Sequence, residues 1–223
     1  MITNVDHDVA ARSLAETARE LYARGWMEGT AGNLSTRLPH EAGHALITAS
    51  GRGKGRLTAA DTVEVRIATG APVRPDAPRP SAETAIHMAL LRLFGDCGAV
   101  VHAHPPYATI AAAHAWESDT EAEIPLIRFR DFELIKGFGV RDPAEVAVPV
   151  FPNWPRVARI GEDIERHFTG LPPGFPTVLL IAHHGATAWG PDLDSARDRL
   201  ECLEALCRLR YLNSVATTIQ ETP

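Results

Sequence analysis

The sequence predicts an α/β domain in which short buried strands alternate with amphipathic helices. Two apolar runs, Ala99 to Val101 and Val178 to Ile181, have the length and composition of buried strands. Each run precedes a histidine motif, and each motif is followed by a turn and a helical pattern. These positions are informative because open α/β sheets bind their ligands at the carboxyl ends of the strands.

The bulk composition is that of one ordinary globular domain, which we expect to span residues 1–223. Of the 223 residues, 45% are hydrophobic and 22% are charged, which suits a sizeable core. A net charge of −6 without a basic cluster argues against nucleic acid or an anionic membrane as partner, since both reward concentrated Lys and Arg. No signal-peptide pattern or membrane-length apolar run is present, so we expect a cytoplasmic protein.

The apolar periodicity predicts the order of the elements along the chain. Residues at helical spacing predict amphipathic helices, and Ser81 is a suitable N-cap for one of them. Short apolar or β-branched runs bounded by turn residues predict the strands. Helices are predicted at about 9–24, 81–94, 105–115, 155–168 and 192–212, and strands at 45–48, 63–67, 99–101, 124–129, 146–151 and 178–181.

Three histidines form a candidate metal site. His102 and His104 are two residues apart at a strand end, so their side chains project to the same side. His184, after the second apolar run, is the candidate third ligand. Three nitrogen ligands with an open fourth position are typical of catalytic zinc. The alternative is a hydrogen-bonded polar pair without a metal. The three cysteines are odd in number and lack CxxC spacing, so they predict neither disulfides nor a thiolate zinc site.

A glycine-rich basic loop is a candidate anion site. Residues 50–56 read Ser-Gly-Arg-Gly-Lys-Gly-Arg, and free N–H groups, a hydroxyl and the Lys54 ammonium could hold a phosphate monoester. Asn33 could add an amide; it lies in residues 29–35, which read as a glycine-rich turn entering a strand. The alternatives are a solvated hairpin tip and an ordinary turn.

Two carboxylates are candidates for acid/base chemistry. Glu83 lies in the first turn of the helix that precedes the His102 strand, where it could face the metal or merely favour the helix dipole. Glu133 is three residues before Lys136, between apolar neighbours. It could be a general base in the site or one half of a helical ion pair.

Five motifs in order resemble the class II aldolase and adducin family over nearly the whole chain. The resemblance implies a three-layer α/β/α fold with a central, largely antiparallel mixed sheet, in a homotetramer with sites near subunit boundaries. It implies one zinc ion per subunit, held by His102, His104 and His184. The motifs are Gly32-Asn33-Leu34-Ser35, Ile47-Thr48-Ala49-Ser50-Gly51, Pro80-Ser81-Ala82-Glu83-Thr84, His102-Ala103-His104-Pro105, and His184-Gly185 with Trp189-Gly190.

Within the family, the loop with Lys54, the Pro80 motif and the segment 132–137 are most similar to dehydratases of methylthioribulose 1-phosphate in methionine salvage. The resemblance implies that Glu133 is the first choice for the catalytic acid/base and Glu83 the second. The substrate would be a small sugar phosphate, with no nucleic acid or membrane partner. The phosphate would be held by Asn33, Ser50, Gly51, Lys54 and Ser81.

Three other functions stay open on the sequence. An aldolase cleaving another ketose phosphate would use the same metal and a similar intermediate. An adducin-like interaction module would keep the fold without needing three histidines, Glu83, Glu133 and the basic loop together. A metal-dependent hydrolase would be expected to show a second cluster of ligands, and the sequence offers none at suitable spacing.

Overall fold

The computed structural model describes residues 2–38, 40–41, 43–119, 121–140, 144–172 and 174–221. The described residues form five α-helices, three short 3-10 turns and eight strands. The helices are α1 (Ile2–Ala23), α2 (Thr84–Leu93), α3 (Pro106–Ser118), α4 (Val157–Phe168) and α5 (Leu193–Glu221). The strands are β1 (Asn33–Arg37), β2 (His44–Thr48), β3 (Thr62–Arg66), β4 (Ala99–Ala103), β5 (Leu126–Arg130), β6 (Glu145–Phe151), β7 (Val178–Ile181) and β8 (Gly185–Gly190).

The strands form one mixed sheet in the order β3-β2-β1-β4-β8-β7-β6-β5. Every neighbouring pair is antiparallel except β6 and β7, which are parallel. The expectation of a largely antiparallel mixed sheet is therefore confirmed.

Helices cover both faces of this sheet. Side chains of α1, α3 and α5 share one hydrophobic core with one face of the sheet, and side chains of α2 and α4 share a second core with the other face. Alternation along β4 separates the two cores: Val101 belongs to the first and Val100 to the second. The three-layer α/β/α architecture is confirmed, and His102, two residues from Val100, faces the layer that contains α2.

The strand β8 is absent from the sequence prediction, which placed only a turn between His184 and the last helix. Its run of Gly185, Ala186, Thr187 and Ala188 carries little apolar signal, yet the strand is buried between β4 and β7. Small residues suit this place because the backbones approach closely. A Cβ atom at Gly185 would collide with the Ala103 carbonyl oxygen.

The outer helices extend beyond their predicted ends. Helix α1 begins at Ile2 and α5 continues to Glu221, whereas apolar spacing predicted about 9–24 and 192–212. The prediction of Ser81 as a helix N-cap is wrong, since α2 begins at Thr84 with Glu83 at its N-cap. Ser81 instead begins the preceding turn, in which its hydroxyl accepts a hydrogen bond from the backbone N–H of Glu83. Within the described part of the chain, every helix is too short or too polar to cross a lipid bilayer.

Candidate metal centre and adjoining cavity

The register of the central strands sets the position of His102, the first candidate metal ligand. Asn33 on β1 lies opposite His102 on β4, and His102 lies opposite Thr187 on β8. Directly opposed residues of antiparallel strands present their side chains on the same face. The fully buried His102 is therefore flanked by an amide and a hydroxyl, and its Nδ1 lies 2.9 Å from Thr187 Oγ1.

The three predicted histidines converge on one point. The Nε2 atoms of His102 and His104 are 3.1 Å apart. The ring centroids of the three imidazoles lie 4.8 to 5.0 Å from one another. His184 arrives from the tight turn between β7 and β8, in which His183 adopts a positive φ of 55°. His183 itself is half exposed and does not join the cluster.

Glu83 joins the three histidines from helix α2, which packs on the face of the sheet that carries His102. We call these four residues the metal cluster. Glu83 lies at the N-terminal end of α2, and its Oε1 is 2.8 Å from Nε2 of His184 while its Oε2 is 3.4 Å from Nε2 of His102. One ligand atom from each of the four residues lies within 4.8 Å of the others. The structure therefore brings Glu83 to the three histidines from the N-cap of α2, one residue before the first turn in which the sequence analysis placed it.

The protonation states suit metal binding. Burial lowers the pKa of His102 to about 3 and that of His104 to about 4, so both rings are neutral at pH 7. Burial alone would raise the pKa of Glu83, but the neighbouring His102, His184 and Asn33 outweigh it and lower that pKa below its usual range. Neutral imidazoles and an ionised carboxylate are the forms that bind a divalent cation. Within the described residues, the Nδ1 atom of His184 is one of two buried side-chain nitrogen or oxygen atoms without a hydrogen-bond partner.

The residues predicted to hold a phosphate line a cavity next to this cluster. Its volume is about 230 Å³. Glu83 and His104 belong to both the cluster and the cavity wall, so a ligand in the cavity would touch the metal centre. All five predicted anion-binding residues, Asn33, Ser50, Gly51, Lys54 and Ser81, are in the wall.

Lys54 is the cation of this cavity. Its side chain is almost fully buried, and its Nζ donates hydrogen bonds to the carbonyl oxygens of Thr30 at 2.8 Å and Arg52 at 2.9 Å. Burial lowers the pKa of Lys54, and the negative charge of Glu83 opposes this shift. Two carbonyl acceptors leave the third ammonium hydrogen for a ligand. The basic loop is therefore folded inward at Lys54, unlike a solvated hairpin tip.

Glu133 does not join the cluster within this chain. It begins a 3-10 turn, Glu133–Phe138, and its side chain is 82% exposed. Its carboxylate pairs with Lys136 at 2.8 Å, as the ion-pair alternative predicted. The Phe138 carbonyl of the same turn accepts a hydrogen bond from Thr177, just before β7 begins, whereas His184 follows the end of that strand.

Sequence reasoning missed two polar residues that contact the site. Thr187 was missed because it lies on the unpredicted strand β8. His87, one helical turn after Glu83, has no role in the sequence analysis above. It is fully buried and hydrogen-bonded to Ser35 and Asn33, and burial lowers its pKa to about 4 despite the nearby Glu83. The i, i+4 spacing on one helix face was the available signal.

The chain matches known proteins over most of its length. The family model for the class II aldolase and adducin N-terminal domain matches residues 12–211. A Nocardia farcinica protein named a probable bifunctional methylthioribose-1-phosphate isomerase/methylthioribulose-1-phosphate dehydratase is 53% identical over 196 residues, covering 88% of this chain but 34% of that protein. A Microcystis aeruginosa protein named methylthioribulose-1-phosphate dehydratase is 41% identical over 205 residues, covering 90% of this chain and 93% of that protein.

Solved structures share the fold. The L-fuculose-1-phosphate aldolase of Thermus thermophilus aligns over 94% of this chain and 96% of its own, with a TM-score of 0.67 and 24% identity. Another L-fuculose 1-phosphate aldolase aligns with a TM-score of 0.73 at 21% identity, over 92% and 86% of the two chains. At these identities the likeness concerns the fold alone.

Proposed function

Because this chain belongs to the class II aldolase and adducin family, we propose that it is a metal-dependent lyase that dehydrates 5-methylthioribulose 1-phosphate. The product is 2,3-diketo-5-methylthiopentyl 1-phosphate, in methionine salvage. The two relatives with dehydratase in their names support this substrate. The chain spans about a third of the bifunctional Nocardia protein, so the isomerase activity in that name is not part of the proposal.

The observation that carries the proposal is the junction of the cluster with the cavity. Glu83 and His104 belong to both, and Lys54 lies in the cavity wall. A ketose 1-phosphate needs a cationic anchor for its phosphate and, a few atoms away, an electrophile for its carbonyl. Binding energy from the phosphate, which does not react, then positions the carbons that do.

The cluster can bind a divalent metal, and zinc is the ion we propose, one per subunit. His102, His104 and His184 would hold it through ring nitrogens, which are common zinc ligands. When bound, the ion supplies a Lewis acid for the negative charge that develops on the ketose oxygens. Asn33, Ser50, Gly51, Lys54 and Ser81 hold the phosphate.

The chain's carboxylates move the protons. In the dehydration, the C3–H bond breaks and its proton passes to a carboxylate. The C4–O bond then breaks, and the departing hydroxyl takes up a proton and leaves as water. The enol that remains tautomerises to the 2,3-diketone, losing the proton of its C3 hydroxyl and gaining one at C4. One carboxylate can perform both transfers. Glu133 is the first choice for this role on the family resemblance, and Glu83 is the second on its position beside His184.

In this proposal Glu133 serves the site of a neighbouring subunit. Its turn lies near the start of β7 and its side chain points to solvent, whereas the metal cluster lies past the end of β7. A homotetramer with sites near its subunit boundaries, the assembly that we propose, would bring the carboxylate to another subunit's cluster. The proposal includes a single functional domain over residues 1–223 and a cytoplasmic location.

One observation favours a second candidate, a class II aldolase acting on another sugar phosphate. Glu83 lies at the cluster within the chain, and Glu133 does not. In the aldolase relatives the carboxylate at the Glu83 position is expected to act as the acid/base. An aldolase would break the C3–C4 bond and release an aldehyde instead of water.

The test is an assay of the zinc-loaded protein with methylthioribulose 1-phosphate that follows the diketone and any aldehyde in parallel. Diketone formation that stops after chelation and returns with zinc is the expected result. Aldehyde release would establish the aldolase instead. Absence of both products in protein with one bound zinc per subunit would overturn the proposed substrate.

A further inference from the structure

A buried chain of hydrogen bonds runs behind the metal cluster. The hydroxyl of Ser35 lies 2.7 Å from Nδ1 of His87, and Nε2 of His87 lies 2.6 Å from Oδ1 of Asn33. Nδ2 of Asn33 donates to Oε2 of Glu83. Ser35 and His87 are fully buried and Asn33 is 4% exposed, so water does not compete for these contacts. The chain ends at the carboxylate that also contacts His184.

The direction of every hydrogen bond follows from that carboxylate. An ionised Glu83 can only accept, so the Asn33 amide must turn its NH₂ group toward it. The Asn33 carbonyl oxygen then faces His87 and needs a donor, which makes Nε2 the protonated nitrogen of the neutral ring. Nδ1 of His87 is left as an acceptor, and Ser35 donates to it.

We propose that His87 is a positioning residue that holds the Asn33 amide with its NH₂ group toward Glu83 and the anion cavity. The inference rests on the proposed function, because it assigns Asn33 and Glu83 to the reaction. The Asn33 amide carries two N–H donors: one binds Glu83, and the other is free for a phosphate oxygen in the cavity that Asn33 lines. One amide thereby joins the phosphate anchor to the carboxylate.

The orientation needs a positioning residue because the backbone does not determine it. Pairing of Asn33 with His102 in the sheet sets the position of the Cα atom. The terminal torsion of an Asn side chain is broad, however, and the amide can turn over. A flipped amide would aim its carbonyl oxygen at the Glu83 carboxylate and at the bound phosphate, and both contacts would be repulsive. With its proton on Nε2, His87 donates to that oxygen and so holds the amide in the unflipped orientation.

The first test is a double-mutant cycle with zinc-loaded His87→Leu, Asn33→Ala and the double variant. His87→Leu should lower kcat/KM about 10- to 100-fold, the usual effect of losing a supporting hydrogen bond behind a metal site. Because His87 acts through Asn33, adding His87→Leu to Asn33→Ala should cost no further activity. His87→Gln, which retains an N–H donor, should recover part of the loss. Additive losses with no recovery in His87→Gln would overturn the proposal.

A matched control separates positioning from packing. His167 on α4 is half-buried against Phe151 and Phe168 and lies outside the hydrogen-bonded chain. His167→Leu should leave kcat/KM within about twofold of the wild-type value, since a change in packing at a partly exposed residue outside the site has a small effect. A loss as large as that in His87→Leu would point to packing and overturn the positioning role.

The second test needs no variant and no activity. The ring ¹⁵N shifts of His87 in the metal-free protein identify which nitrogen carries the proton. The neutral Nε2–H form supports the proposal, and the Nδ1–H form overturns it. Failure of the wild-type protein to dehydrate methylthioribulose 1-phosphate would overturn the proposed function alone. The role of His87 would still be tested by its tautomer and by the double-mutant cycle, measured with the sugar phosphate that the protein does convert.

Discussion

The metal cluster and the Glu133 turn both carry candidate catalytic residues, but the two regions differ in how far these side chains are buried and in how many partners they have. Around the metal cluster, polar residues are largely buried and are hydrogen-bonded or ion-paired to one another. His102 is fully buried and the Glu83 side chain is 14% exposed. At the other end of β7, the Glu133 side chain is 82% exposed and is paired only with Lys136 in the contacts described. The first region is assembled within one chain, and in the proposed tetramer the second would act on a substrate bound at another subunit's metal cluster.

Under the proposed function, burial by itself does not identify the acid/base residue. The largely buried Glu83 carboxylate, beside three imidazoles, is held in place before substrate binds. Such preorganisation favours electrostatic stabilisation of the transition state. An exposed carboxylate has no such support until another surface covers it. Four substitutions, in order of decreasing expected effect, distinguish the two regions.

Removing a ligand from the buried region should have the largest effect. His102→Ala should lose stoichiometric zinc and lower kcat about 10³-fold or more, since Lewis acid stabilisation is worth several kcal/mol and each 1.36 kcal/mol is tenfold in rate. Metal analysis and steady-state kinetics measure both. His183→Ala, at the exposed neighbour of His184, is the matched control and should keep its zinc. Full activity in His102→Ala would remove this cluster from the mechanism.

Removing the exposed carboxylate should lower the rate without releasing the metal. Glu133→Gln should lower kcat by about 10²- to 10⁴-fold, the range for losing a general acid or base, with one zinc retained per subunit. Steady-state kinetics and metal analysis check this.

A complementation experiment then asks which subunit Glu133 serves. Mixed assemblies of Glu133→Gln and His102→Ala subunits should regain activity that neither parent has, because some interfaces would join an intact metal cluster to an intact Glu133. Native mass spectrometry verifies the mixing. Mixed assemblies without recovered activity would contradict a site shared between subunits.

Removing the buried cation should weaken substrate binding. Lys54→Met should raise KM about 10- to 100-fold, because a hydrogen bond to a charged group contributes about 1.5–3 kcal/mol. Zinc content should be unchanged. Arg56→Met, at an exposed cation of the same loop that is not in the cavity wall, is the control. Equal KM values for the two variants would show that the cavity does not hold the phosphate.

Removing a supporting hydroxyl should have the smallest effect. Thr187→Val keeps the side-chain shape but deprives Nδ1 of His102 of its hydrogen-bond partner. Zinc affinity should fall about tenfold, at the low end of the effects seen for residues that orient metal ligands. Competition with a chromophoric chelator measures it. Thr177→Val, whose hydroxyl donates to Phe138 beside the Glu133 turn, should leave zinc affinity unchanged. Equal losses in the two variants would indicate a general loss of stability.

Much of the fold follows from local sequence pattern. Apolar runs predicted every strand from β2 to β7, and helical spacing predicted all five helices, although the ends of α1 and α5 were predicted short. The strand β8 was not predicted, because its small residues allow close backbone contact and show no hydrophobic periodicity. Thr187 was missed with it, although it supports a ligand that was predicted.

Local sequence patterns are enough to identify the residues that could bind a metal and an anion. The spacing of His102 and His104 on a strand end sets their common direction, and the alternation of glycine with cations marks the loop of Lys54. These are local properties, since they depend on backbone geometry over a few residues.

Which of these candidate residues come into contact depends on the tertiary structure. Glu83 and His184 are about a hundred residues apart, and pairing of β4 with β8 and packing of α2 on the sheet bring their side chains to 2.8 Å. The same packing aligns Ser35, His87 and Asn33 behind Glu83 and leaves Glu133 at the other end of β7. Such contacts arise from strand register and layer packing, which join distant segments and leave no periodic signal in the sequence of either one.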